Sequence, residues 1–509
     1  MKKLMVLSAT VAALLSASAK IEMGAPFADG AVLQRGMKVP VWGTLNEIHS
    51  LPSRVTVSFA GQTKTVRPDT YGRWQVELEP LEASAVGRTM TVVEEVDDWF
   101  AHLFSKPRDT VELKDILVGE VWFASGQSNM ECPIWGGNTR YRDMKGGLMT
   151  TMTELPLVRY VKMNHRWSTE PAPIRARWRT LTSANLTQVQ FSAVAFYYAR
   201  ELHLALGIPV GILDASWGGT NIDAWTPRCG YEGCDPSIQA TADYVVKADW
   251  KAETDKKGPI GGAHQQPTVL WNGMVGAFAP MAMRGFIWYQ GCHNSGESHL
   301  YAAKMHALYS GWSRAFRNPD LKLYFVELAP YNQNWLGICA AQDRFVAEEK
   351  NAALAVTADV GNFDDIHPND KEIVAKRLAV HALKRDYGFA IPEDCSPVFK
   401  SVAFADGQAT LAFDHVKNWY VYAPNRSRAA AFELAGADGV WQPAKIVNSR
   451  PGKDKHGNKT DTDYIDGGAI VLKSDAVAAP VKVRYLGQPR TSGTMYNEAS
   501  LPLGAFETK

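Results

Sequence analysis

From about Asp115 to Ala390, apolar runs of strand length alternate with helical stretches, and this alternation constrains the chain most. Strands linked by helices form a sheet covered on both faces, so the pattern demands an α/β architecture with a mainly parallel sheet. Val118 to Ala124, Val210 to Ala215, Gly285 to Tyr289, Leu323 to Leu328 and Leu354 to Ala358 are the predicted strands. Phe191 to Leu206 is predicted as a helix, because Phe191, Val194, Ala195, Tyr198, Leu202 and Leu206 fall at three- and four-residue spacing. Gly207 then caps it. A second helix spans Lys371 to Tyr387, opened by Pro368-Asn369-Asp370 and closed near Gly388.

On either side the rhythm changes to period two. Segments such as Val55 to Phe59 and Trp74 to Leu78, separated by Gly, Pro and Asp, predict an all-β, sandwich-like module over residues 20–114. Ala409 to Phe413 and Val481 to Tyr485 predict a second β-rich module over 391–509. Asn448 to Thr462 is polar and rich in Gly, Lys and Asp, and reads as an exposed loop. With the α/β region at 115–390, a chain of 509 residues is accounted for as several domains.

Composition narrows the possible partners. With 46% hydrophobic and 21% charged residues the chain is globular rather than disordered. Lys and Arg total 54 against 53 Asp and Glu, a formal net charge of +1, so no strong field favours nucleic acid or anionic lipid. Lys2 and Lys3 precede an apolar run from Leu4 to Leu15 and the small residues Ala17-Ser18-Ala19, the pattern of a signal peptide over 1–19. The expectation is an exported protein, periplasmic or secreted. That run is too short to span a bilayer, and no later stretch approaches ~20 apolar residues.

Six cysteines are too few for a disulfide scaffold. Cys229 and Cys234 enclose a short Gly-containing loop and are spaced to pair; the others read as buried thiols. Neither paired CxxC motifs nor HExxH occurs, so no metal and no cofactor is expected.

In open α/β sheets reactive groups collect beyond the carboxyl ends of the strands. After the first predicted strand comes Ser125-Gly126-Gln127-Ser128-Asn129-Met130, where Gly126 allows a tight turn and Ser128 is the candidate nucleophile. After the second comes Ser216-Trp217-Gly218-Gly219-Thr220, whose glycines let backbone N–H groups approach a ligand, with Gly219 as an oxyanion donor. The third is followed by Gln290-Gly291-Cys292-His293-Asn294, which adds the amide of Asn294. After the last comes Asp364-Asp365-Ile366-His367-Pro368, with His367 as general base oriented by an acid. Together these groups supply what acyl transfer from an ester needs without a metal.

Two rivals stand beside this. Cys292 next to His293 suggests a thiol nucleophile, although neighbouring side chains at a strand end point to opposite faces. A non-catalytic glycan-binding protein is the other, and the intact Ser128, Asn294 and His367 argue against it. Trp135, Trp217 and Trp225 lie near the candidate segments and suit either stacking on a sugar face or ordinary core packing.

Gly126-Gln127-Ser128-Asn129-Met130, Gly218-Gly219-Thr220, Asn294 and Asp365-Ile366-His367 resemble the blocks of the SGNH hydrolases, and most closely their sialate O-acetylesterase branch. The resemblance continues through Phe191-Ser192-Ala193-Val194, Ile222-Asp223-Ala224-Trp225, Leu270-Trp271-Asn272-Gly273-Met274 and Ile287-Trp288-Tyr289-Gln290-Gly291. It implies a flavodoxin-like, three-layer α/β/α catalytic domain. It also implies Ser128 as nucleophile, His367 as base, Asp365 as acid, and an oxyanion hole of Ser128 N–H, Gly219 N–H and Asn294. Gln127 and Gln290 would shape the pocket, with Trp217 as a substrate contact. Many SGNH hydrolases place the acid three residues before the histidine, which makes Asp364 the alternative. Two departures bear on substrate contacts: Cys292-His293 stands where the family often has Glu-Ser, and Asp223 replaces a usual Glu. The implied substrate is an O-acetylated sugar, sialic acid first and acetylated xylan or another glycan second. An arginine facing the pocket would favour the acidic sugar.

Overall fold

The computed structural model describes residues 21–46, 53–96, 109–134, 155–180, 182, 190–247, 250–257, 262–422 and 431–508. The proposed signal peptide and Trp135 lie outside the described residues. The central elements in chain order are β1 (Asp109–Gly126), α1 (Ser128–Glu131), β2 (Val158–Lys162), β3 (Arg179–Thr180), α2 (Ala193–Leu206), β4 (Val210–Ser216) and β5 (Gly285–Tyr289). They continue with α3 (Ser298–Ala315), β6 (Lys322–Val326), α4 (Leu336–Glu348), β7 (Ala352–Ala355) and α5 (Lys371–Arg385).

The strand order is β3-β2-β4-β1-β5-β6-β7. All neighbours are parallel except β3, which runs antiparallel to β2 at the edge. Successive side chains of β1 point to opposite faces. Trp122 packs edge-on against Tyr198 of α2, while Phe123 packs edge-on against Trp312 of α3. Helices therefore cover both faces, with α2 against α5 on one side and α3 against α4 on the other. This is the mixed α/β architecture that the apolar rhythm requires.

Local chemistry sets the helix ends. Ser192 accepts a hydrogen bond from Ala195 N–H at 3.1 Å and starts α2, so the helix begins two residues later than predicted. Gly207 closes it in the left-handed conformation (φ 66°). Asp370 caps α5 through Ile373 N–H at 3.1 Å.

The N-terminal region is bonded into the central sheet. Ser84–Val96 pairs antiparallel with the first half of β1, and Val32–Gln34 pairs parallel with Leu117–Gly119. β1 thus runs unbroken past residue 114, turning at Asp115, whose φ is 56°. A separate three-stranded sheet holds Ile21–Met23, Val39–Leu45 and Arg73–Leu78. The C-terminal region forms three four-stranded antiparallel sheets. One expectation fails there. Asn448 to Thr462 is largely a hairpin of Arg450–Lys453 and Lys459–Asp466, whose turn is tied by Asp454 to the N–H groups of His456 and Asn458 at 2.8 and 2.9 Å. Cys229 and Cys234 are free thiols, with Cys229 Sγ turned to the carbonyl of Gly311 at 3.6 Å.

Candidate active site

Register brings the candidate segments together. Gly126 pairs with Ser216 on β4 and with Tyr289 on β5, so three adjacent strands end level and their following turns meet. Gly126 has φ 138°, and a Cβ there would stand 2.3 Å from the carbonyl oxygen of Tyr289. Only glycine fits this position, and the sharp turn it makes presents Ser128 at the start of α1. Gly218 lies against the serine, since a Cβ on it would come within 3.2 Å of Ser128 Cβ.

His367 Nε2 lies 2.8 Å from Ser128 Oγ. On the other side of the ring, Nδ1 lies 2.9 Å from Asp365 Oδ1, which also accepts the backbone N–H of His367 at 3.0 Å. Asp364 points elsewhere: its carboxylate is exposed and takes Arg490 Nη1 at 2.9 Å. The histidine is only 8% exposed. Asn129 joins the two loops by donating to the carbonyl of Ile366 at 3.1 Å, while buried Lys371 donates to Asn129 Oδ1 at 2.5 Å. Sequence reasoning gave no role to Asn129 or Lys371; the adjacency of Asn129 to Ser128 was the available signal.

Asn294 is fully buried. Its Oδ1 accepts from Ile222 N–H at 3.1 Å and from Gln290 Nε2 at 2.7 Å, which fixes the orientation of the amide. One Nδ2 proton goes to Glu297 Oε1 at 2.6 Å. Glu297 is held by Lys304, which also grips Asp223 at 2.7 Å. Burial pushes the Asp223 carboxyl up and Lys304 pulls it back. The departure at Asp223 therefore sits behind the asparagine, in a chain of charges that positions it.

The two glutamines are internal. Gln290, with no exposed surface, donates to Thr220 O at 3.1 Å and accepts from Tyr301 at 2.8 Å. Gln127 Oε1 accepts from Gly291 N–H at 3.0 Å and so ties the serine turn to the loop after β5. Trp217 stacks with two imidazoles, those of His165 at 4.4 Å and His264 at 5.1 Å. Trp225 is fully buried core.

A cavity of about 270 Å³ opens at Ser128, lined also by Glu131, Cys132, Pro133, Lys162, Gln190 and Gly218. Burial opposes ionisation of Glu131, but His165 at 2.7 Å, Lys162 and the N–H of Gly218 outweigh it and hold this carboxyl below its ordinary range. Lys162 bridges buried Asp214 at 2.9 Å and Ser216 Oγ at 3.1 Å.

Local chemistry weighs against the thiol rival. Burial pushes the Cys292 thiol up to about 12, which keeps it protonated, while His293 beside it is exposed. Among the described residues one group could gather around a metal ion, Glu393, Cys395 and His415 in the C-terminal region, and it includes no residue around Ser128. No helix among the described residues is long and apolar enough to cross a membrane.

Comparison with known proteins gives three findings. Residues 118–384 match the model of a family described as carbohydrate esterase, sialic acid-specific acetylesterase. The sialate O-acetylesterase of Rattus norvegicus is 27% identical over 357 residues, covering 62% of this chain and 64% of that protein. The human sialate O-acetylesterase is 26% identical over 341 residues, covering 62% and 61%. The chain thus aligns with less than two thirds of the length of these curated relatives. A carbohydrate acetylesterase of Xanthomonas citri, known from its crystal structure, superposes with a TM-score of 0.76 at 29% identity, over 96% of this chain and all of that one.

Proposed function

Because the chain belongs to the carbohydrate esterase family of sialic acid-specific acetylesterases, we propose that it removes O-acetyl groups from sialic acids through an acyl-enzyme on Ser128. The observation that carries this reading is the hydrogen-bonded row from Ser128 Oγ through His367 to Asp365, with Ser128 on the wall of a cavity. With Nδ1–H donated to Asp365, His367 turns Nε2 to Ser128 and accepts the serine proton as Oγ attacks the acetyl carbonyl. The tetrahedral oxyanion rests on the N–H groups of Ser128 and Gly219 and on Asn294 Nδ2. Its collapse expels the sugar oxygen, which takes the proton back from His367. Water, deprotonated by the same imidazole, then attacks the acetyl-serine and releases acetate.

The finer fold assignment belongs to this proposal. Without the inserted β2 and β3, the sheet order is β4-β1-β5-β6-β7, which in chain order is the flavodoxin-like 2-1-3-4-5, and this supports an SGNH-type catalytic domain. The flanking all-β regions act as sandwich-like modules around it. The leader-like residues 1–19 support export to the periplasm or beyond.

Acetate release from O-acetylated sialic acids and from acetylated xylan, measured side by side, tests the substrate. Faster release from the sialic acids is expected. Release from xylan alone would replace this proposal with a neutral-glycan esterase, which the broader description of the Xanthomonas citri relative also suits.

A further inference from the structure

A second cavity, of about 580 Å³, shares Lys162 and Gln190 with the cavity at Ser128. Five cationic side chains, Lys162, Arg166, Arg175, Arg177 and Arg179, line it, and no carboxylate does. In a chain whose acids and bases nearly cancel, this concentration is local. It has a structural origin. From Arg175 to Arg179 alternate residues face opposite ways: Ala176 and Trp178 are 8% exposed, and the arginines between them are exposed. The buried side is anchored, with Ala176 N–H on the carbonyl of Ala25 at 2.8 Å and Trp178 Nε1 on Pro26 O at 2.8 Å. The arginine row is thereby fixed at a spacing of ~7 Å. Glycine at 273 completes the wall, since a Cβ there would meet the carbonyl oxygen of Arg166 at 2.1 Å.

Only part of this charge is neutralised within the protein. Arg175 pairs with Glu22 at 2.9 Å, and Lys162 with Asp214. The charge of Arg179 lies close enough to Tyr160 to oppose the rise of that phenol, which burial takes to about 12. No ion pair of Arg177 or Arg179 with a carboxylate is found among the described residues, and Arg179 lies beside Tyr160.

We propose that this groove is the acidic-glycan subsite: it binds the carboxylates of a sialic acid chain whose acetylated unit reaches Ser128 past Lys162. Guanidinium groups bind carboxylates in two-point contacts, and a row of them along an open groove fits a chain that repeats its negative charge. The inference rests on the proposed function for its catalytic half, whereas the groove itself is tested without turnover.

Calorimetry with an unacetylated trimer of sialic acid, against a neutral trimer of xylose, provides that test. Binding of the acidic trimer only, weakening as salt rises, is expected, with a loss of about tenfold or more in Arg177→Gln/Arg179→Gln. Arg177→Lys/Arg179→Lys should recover part of it, because charge is restored without the two-point geometry. In turnover the Gln variant should raise KM for O-acetylated sialic acid and leave the rate on a chromogenic acetate unchanged. Absence of binding by the wild type, equal binding by the Gln variant, or equal losses on both esters would overturn the subsite. An enzyme that binds the acidic trimer through these arginines but deacetylates xylan alone would overturn the catalytic reading and uphold the groove.

Discussion

Asp365 holds His367 at two points, the ring Nδ1 at 2.9 Å and the backbone N–H at 3.0 Å, although the two residues are separated only by Ile366. A short loop thereby sets both tautomer and ring plane. Asp365→Asn should lower kcat by ~10²–10⁴, since an amide no longer enforces Nδ1–H. Asp364→Asn, altering a carboxylate bonded to Arg490, should stay within about threefold. Steady-state rates on a chromogenic acetate check the pair, and equal losses would refute the assignment of the acid.

As a proposed oxyanion donor, Asn294 should act on the transition state more than on binding. Asn294→Ala is expected to lower kcat by ~10²–10³ with little change in KM. A rise in KM alone would mean that the amide holds the ground state instead.

Cys292 is the residue to remove in order to discriminate between nucleophiles. Cys292→Ala should retain activity within about threefold, because its thiol is kept protonated by burial. Loss of activity together with an acetylated Cys292 in the wild type would restore the thiol mechanism.

Glu327 and Asp343 give the fold a pH dependence of their own. Burial pushes Glu327 up to about 8 and Asp343 to about 7. A carboxyl whose folded pKa lies above its unfolded value favours folding while protonated and loses that advantage as pH rises. The melting temperature should therefore fall between about pH 4.5 and 8. Glu327 also accepts Ala505 N–H at 3.3 Å, and Glu327→Gln keeps that acceptor while abolishing ionisation. The variant should melt higher than wild type at pH 8 and lose part of the slope; an identical slope would contradict the prediction.

Much of the α/β frame was legible because its strands are wholly buried and read as unbroken apolar runs, as at Gly285–Tyr289. β2 was missed because Arg159 and Lys162 interrupt its apolar sequence; Arg159 is buried by bonding Gly30 O and Asp115, a tertiary fact with no local signal. The Arg450–Lys453 hairpin was hidden by polar residues on exposed strands. At the candidate site, residue types that chemistry demands were legible: a serine after a glycine turn, and a histidine beside acids. The choice between Asp364 and Asp365 was not, since it depends on Arg490 arriving from the far end of the chain. Nor was the stacking of Trp217 with two imidazoles, which come from segments on either side of it in sequence.

Rapid quenching of the enzyme with an O-acetylated sialic acid, followed by peptide mass spectrometry, asks directly where the acetyl group rests between the two half-reactions. An acetyl group on the Ser128 peptide, formed before acetate appears and absent in Ser128→Ala, is the predicted result. Steady acetate release by Ser128→Ala at the wild-type rate, with no acetylated Ser128 at any time point in the wild type, would contradict the account.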